Sequence, residues 1–140
     1  DGPLTADAAE DMAAAYEGDR NAFFDQFATQ FFSVDGVLSV VESQRRDAVR
    51  MAMESDETAA AKTLQAFAAS DFRDDLTKIT VPTLVVHGDS DATVPFAGSG
   101  LRTHQAIAGS ELHVVPGGPH GINVSHADEF NQVLIQFLRQ

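Results

Sequence analysis

The chain has 140 residues, 44% hydrophobic and 21% charged, the composition of a soluble globular protein large enough to bury a core. Its formal net charge of −12 argues against nucleic-acid and anionic-membrane partners, because no basic face is available to neutralise phosphates. There is no cysteine, which removes disulfides and thiolate metal sites; no membrane-length apolar run and no leader segment appear, so the expected location is cytoplasmic.

Charge and pattern divide the chain near Ile79–Pro82 into residues 1–79 and residues 80–140. Most of the acids lie before that boundary. In the first part, Thr5 is placed to cap a helix running to about Glu17, with Gly18 as its stop. Asp19 caps a second helix, in which Phe23, Phe27 and Phe31 recur every four residues with Phe24 and Phe32 beside them. Asp35-Gly36 reads as a turn. Ser39 opens a third helix through about Met53. Asp56 opens a fourth, where Ala60, Leu64, Phe67 and Ala68 share a face. Residues 71–78 form one more short helical turn. A phenylalanine stripe at helical spacing is usually core. Seven of the ten phenylalanines fall here, however, and a small helical layer cannot hide them all, so some face a sheet or line an apolar substrate pocket.

Residues 80–140 change period. Thr83–Val86 is a continuously apolar strand of the kind found in parallel sheets, with Pro82 tolerated at its entry. A helix follows from about Ala97 to Ala108, ended by Gly109, and Leu112–Val115 is a second strand. Ser125-His126-Ala127-Asp128 fits a capping box. Phe130, Val133, Leu134, Phe137 and Leu138 then form the buried face of the last helix. The β-α-β-α order implies two parallel strands joined by a right-handed crossover, an α/β architecture. Two such strands would leave long apolar edges unpaired, so the sheet needs more strands, from dimerisation through an edge or from another polypeptide.

Chemistry-bearing residues gather after those strands. Asp89 and Asp91 follow the first, and His120, on Pro-Gly-Gly-Pro-His-Gly, follows the second. A buried carboxylate bonded to histidine Nδ1–H fixes the tautomer and leaves Nε2 to take a proton from a hydroxyl nucleophile. Each residue also has a plainer reading: either aspartate can cap its own loop, and a histidine on a glycine-rich loop can be structural. His87 is expected to support the strand end, His104 to lie on the surface, His113 to face either layer and His126 to start a helix. No histidine pair has His-x₃-His spacing, so no metal site is expected.

Val81-Pro-Thr-Leu-Val-Val-His-Gly-Asp-Ser-Asp-Ala-Thr-Val-Pro95 and Pro116-Gly-Gly-Pro-His-Gly121 resemble the α/β-hydrolase superfamily, in particular its non-haem haloperoxidase/esterase branch. The resemblance runs from Thr80 to Arg139. More loosely, Asp19-Arg-Asn-Ala-Phe-Phe-Asp-Gln-Phe-Ala28 and Ala69-Ser-Asp-Phe-Arg-Asp-Asp-Leu76 are similar to that branch's cap. The resemblance implies Asp91 as triad acid, His120 as triad base, and a cap over residues 1–79 whose phenylalanines shape the acyl pocket. It further implies ester hydrolysis, with perhydrolysis of carboxylic acids as a second activity, no cofactor and no metal. The substrate would be a small-molecule ester or carboxylic acid. The family's Gly-x-Ser-x-Gly is missing: Gly98-Ser-Gly100 has Ala97 where the first glycine belongs. The expectation is therefore a C-terminal half containing no nucleophile, completed by an N-terminal half as a separate chain, with a homo-oligomer of the completed enzyme left open. The competing reading is a non-catalytic interaction domain that binds an apolar ligand or partner.

Overall fold

The computed structural model describes residues 6–140, so the cap assigned to Thr5 lies outside the described residues. Four helices make up most of the first part: α1 (Ala6–Gly18), α2 (Arg20–Phe31), α3 (Glu42–Met53) and α4 (Glu57–Ala69). Asp19 caps α2 by accepting from Ala22 N at 2.9 Å, and Asp56 caps α4 by accepting from Ala59 N at 2.8 Å. α3 begins at Glu42 rather than Ser39, because the Gln44 side chain reaches back to the Val41 N–H at 3.1 Å. A turn at Asp35 and Gly36, both at positive φ, joins two residue pairs that periodicity does not announce as strands, β1 (Ser33–Val34) and β2 (Val37–Leu38). Consecutive left-handed residues suit the tight hairpin turn between such strands.

α1 packs on α4 and α2 on α3. The buried Tyr16 donates to Glu57 O at 3.1 Å, tying α1 to the start of α4. Arg45 of α3 meets Asp25 of α2 at 2.7 Å and Glu42 at 2.7 Å. Its guanidinium holds the Glu42 carboxyl below the usual range. The phenylalanines of α2 form a ladder along one face: ring centroids are 6.1 Å apart for Phe23–Phe27 and 5.8 Å for Phe27–Phe31. On α4 the half-buried face is Ala60, Leu64 and Ala68, whereas Phe67 is exposed, a departure from the single apolar face expected there.

After the one-turn helix α5 (Arg73–Leu76), β3 (Leu84–Gly88) and β4 (Glu111–Val115) pair in parallel, from Leu84↔Glu111 to Gly88↔Val115. Among the described residues neither strand has a second neighbour. The helix between them is broken: a 3₁₀ turn at Phe96–Gly98 precedes α6 (Gly100–Ala106). Gly109 takes positive φ past its end. Helix α7 (Ile122–Ser125) and helix α8 (Ala127–Leu138) close the chain. The capping box is not formed. Ser125 Oγ instead donates to Gly121 O at 3.1 Å, one turn back, and lies 2.9 Å from His126 Nδ1. On α8 the half-buried residues include Phe130, Val133, Leu134 and Phe137; Leu138, in the last turn, is 71% exposed.

Candidate active site

β3 runs past Val86 to His87 and Gly88, and its loop leaves beside the loop that follows β4. The two loops touch backbone to backbone. A Cβ on Gly88 would lie against the Gly118 carbonyl and 2.7 Å from Pro119 O, and one on Gly118 would lie 3.1 Å from the Gly88 Cα. Only glycine permits that approach. Gly117 adopts positive φ, and Pro119 is fully buried behind it, so Gly-Gly-Pro of this loop has steric reasons. Hydrogen bonds run along the contact: Asp89 N donates to Val115 O at 3.1 Å and Ser90 N to Gly118 O at 3.1 Å. Asp89 Oδ1 accepts from Gly117 N at 2.7 Å and from Ser90 Oγ at 3.0 Å. Asp89 is a clamp between the loops.

Asp91, two residues on, is 6% exposed. Its Oδ1 accepts from Thr93 N at 2.9 Å and Val94 N at 2.8 Å, the local turn that aspartate makes with its own backbone. Its Oδ2 lies 2.7 Å from His120 Nδ1 and 3.1 Å from His87 Nε2. A carboxylate at that distance keeps the proton on His120 Nδ1 and leaves Nε2 as a lone-pair acceptor. Nε2 makes no hydrogen bond among the described residues, and the His120 side chain is 30% exposed. The carboxylate is buried and saturated with donors; the imidazole it holds faces outward. That arrangement can accept a proton from a hydroxyl and stabilise the resulting imidazolium.

The helical part reaches the same place. The end of α2 docks on both loops: Gln30 Nε2 donates to Ala92 O at 3.3 Å, and Gly121 N donates to Phe31 O at 2.9 Å. The Phe31 ring meets the His120 imidazole edge to face at 4.7 Å. A Cβ on Gly121 would press on the Phe32 ring and lie 2.9 Å from Phe31 Cδ1. Periodicity puts Phe31 in the aromatic stripe without marking its contact with His120, and it does not reveal Gly121 at all. The available signal is a doubled phenylalanine at a helix end and a glycine directly after the histidine.

The other histidines lie elsewhere. His104 is half-buried rather than superficial, with Nδ1 2.8 Å from Ser110 Oγ, where it fastens the end of α6. His113 faces Glu129 of α8 at 2.8 Å. His126 pairs with Ser125. Ser99 Oγ donates to Pro95 O at 2.7 Å, and no serine is hydrogen-bonded to His120 among the described residues.

Side chains carried on adjacent loops at the carboxyl ends of parallel strands are the arrangement of open α/β sheets, whose crevices lie at that edge. No family model matches the chain. It is 41% identical over 124 residues to "Putative non-heme chloroperoxidase" of Synechocystis sp., a match spanning 86% of this chain and 44% of the relative. It is 39% identical over 74 residues to "Bifunctional esterase/perhydrolase DCH" of Acinetobacter calcoaceticus, spanning 53% of this chain and 27% of the relative. The solved bromoperoxidase from Bacillus anthracis superposes with a TM-score of 0.95 at 42% identity, over 99% of this chain and 51% of that one. The chain belongs to the α/β-hydrolase superfamily, in its non-haem haloperoxidase/esterase branch. It spans about half the length of curated relatives that it matches over most of its own length.

Proposed function

We propose that this chain supplies the acid and base of a Ser-His-Asp triad for the hydrolysis of carboxylic esters, with perhydrolysis of carboxylic acids as a second activity. One observation carries the reading: buried Asp91 holds His120 through Nδ1 at 2.7 Å while Nε2 is left without a protein partner among the described residues. In this reading a serine Oγ attacks the ester carbonyl as His120 Nε2 takes its proton. Asp91 stabilises the imidazolium, and His120 returns the proton to the departing alkoxide. Water then attacks the acyl-serine with His120 again as base; hydrogen peroxide in its place yields a peracid.

The serine, its oxyanion donors and the remaining strands come, on this proposal, from an N-terminal half of the hydrolase. The half-length match to the relatives supports this, as does the sequence's lack of Gly-x-Ser-x-Gly. Residues 1–79 act as the cap, and the phenylalanine ladder of α2, which ends on His120, forms an apolar wall for the acyl group. The names of the relatives support both activities for the branch. The test is p-nitrophenyl acetate turnover by the chain alone, by the chain combined with a Gly-x-Ser-x-Gly-bearing half, and by the same assembly with His120→Ala. The chain alone is expected to be inert and the assembly active. A His120→Ala assembly that retains the full rate removes the role given to His120.

A further inference from the structure

We infer that His87 is a positioning residue that holds the Asp91 carboxylate in register with His120. The inference rests on the reading of Asp91 and His120 as the acid–base pair. His87 is the penultimate residue of β3, with its side chain 12% exposed. Its Nε2 lies 2.9 Å from Val94 O and 3.1 Å from Asp91 Oδ2. Val94 O accepts the Nε2–H, so the proton sits on Nε2, with the Asp91 carboxylate at ion-pair distance beside it. The ring has no room to turn away. A Cβ on Gly100 would come within 2.5 Å of Nδ1 and 2.9 Å of Cγ, and Phe96 stands 5.5 Å off on a tilted plane.

The consequence is geometric. Oδ1 is fixed by the Thr93 and Val94 N–H groups, but Oδ2 would otherwise be held by His120 alone, a partly exposed side chain. A carboxylate pinned on one oxygen can rock about that oxygen, and His120 would rock with it. His87 acts on the carboxylate independently of His120, by holding the Val94 peptide whose N–H binds Oδ1 and by setting its Nε2–H edge 3.1 Å from Oδ2. His87 also shares charge density on Oδ2 that His120 Nδ1–H would otherwise draw on alone. Its loss therefore lets the carboxylate rock and leaves His120 Nδ1–H alone on Oδ2. Val94 closes the arrangement: its carbonyl accepts from His87 and its N–H binds Oδ1, which makes a small ring around the acid.

The test compares His87→Phe, which keeps a planar ring and loses the donor, with His87→Gln, whose amide nitrogen reaches the former Nε2 position. Both are measured in the assembled enzyme beside Asp91→Asn and His120→Ala. For His87→Phe the expected result is kcat reduced by about 10- to 100-fold with KM changed less than about twofold, and His87→Gln restores most of the loss. In proton NMR the downfield Nδ1–H resonance of His120 shifts in the Phe variant and returns toward its place in the Gln variant. A folded His87→Phe protein with unchanged kcat and an unchanged Nδ1–H resonance overturns the inference while leaving the triad intact. If His87→Phe does not fold, His87→Met, flexible and also without a donor, takes its place with the same two outcomes. If Asp91→Asn and His120→Ala retain full rate, the triad reading fails first, and the NMR comparison still judges whether His87 holds Asp91.

Discussion

Asp91→Asn separates the two acids of the β3 loop and tests the site at its most constrained atom. Three hydrogen-bond donors converge on this carboxylate, two backbone N–H groups on Oδ1 and His120 Nδ1 on Oδ2, and His87 Nε2 stands 3.1 Å from Oδ2. An amide has one acceptor oxygen, and the backbone donors cannot move, so the oxygen stays at Oδ1 and the NH₂ takes the Oδ2 place. There it faces two N–H groups. His120 answers by moving its proton to Nε2, which lets Nδ1 accept from the new amide but blocks the nitrogen that, in the proposed mechanism, receives the serine proton. A triad locked in that tautomer loses about 10⁴ in kcat. Folding suffers less: the charge-assisted bond to His120 gives way to a neutral one, and the new NH₂ faces the His87 N–H, for about 2–4 kcal/mol. The matched control is Asp89→Asn, whose amide oxygen can still accept from Gly117 N and Ser90 Oγ and which should keep kcat within a few-fold. The assays are p-nitrophenyl acetate kinetics on the assembled enzyme and urea unfolding. An Asp91→Asn enzyme within about tenfold of wild type, or an equal loss from Asp89→Asn, would refute the reasoning.

Gly88→Ala should cost at least about 3 kcal/mol in urea melts, since the new methyl meets backbone of Gly118 and Pro119 and the loops must part; Gly98→Ala, with nothing within 4 Å, should be silent. Phe31→Ala should lower stability by about 2–4 kcal/mol and lower kcat as well, read by thermal denaturation and ester kinetics, because the ring packs on both Phe27 and His120. Arg45→Met should loosen α3 from α2 and change the acid side of the stability profile. Glu42 is held below its ordinary 4.5 chiefly by its bond to Arg45, so its contribution is present above that pH and lost as pH falls through the depressed folded value; urea melts across that range should show the variant losing this part of the acid slope.

Much of the site could be read because it is built from chain-local rules. The apolar run of β3, the glycine that ends it and the Asp91 turn to Thr93 and Val94 all lie within a few residues of each other. The choice between Asp89 and Asp91 does not follow from such rules, since both satisfy loop donors. It depends on which carboxylate meets His120, a contact that only the β3–β4 register creates. The same limit explains why the capping box at Ser125 does not form. Ser125 has the right residue three positions ahead of it in Asp128, but the turn of α7 places Gly121 O within reach of its hydroxyl first. Leu138 fits the apolar period of α8 yet stands in solvent, because periodicity assigns a face and not how far along the helix that face stays covered.

The contact between α2 and the β4 loop ties any change in the aromatic ladder to the Asp91–His120 pair by degrees. Phe31 is bound to the site twice, by its ring against His120 and by its carbonyl from Gly121 N, the residue next to that histidine. Moving Phe31 therefore moves His120. Phe27 is one ring removed and Phe23 two, each joined to the imidazole only through the rungs between. A wall built this way can be reshaped at Phe23 and Phe27 to suit a different apolar group while the geometry of Asp91 and His120 persists, whereas its last rung is shared between shape and chemistry. The steric closeness at Gly121 enforces that sharing: with no room for a Cβ against Phe31 and Phe32, the loop cannot relax away from the helix without giving up the Gly121–Phe31 bond.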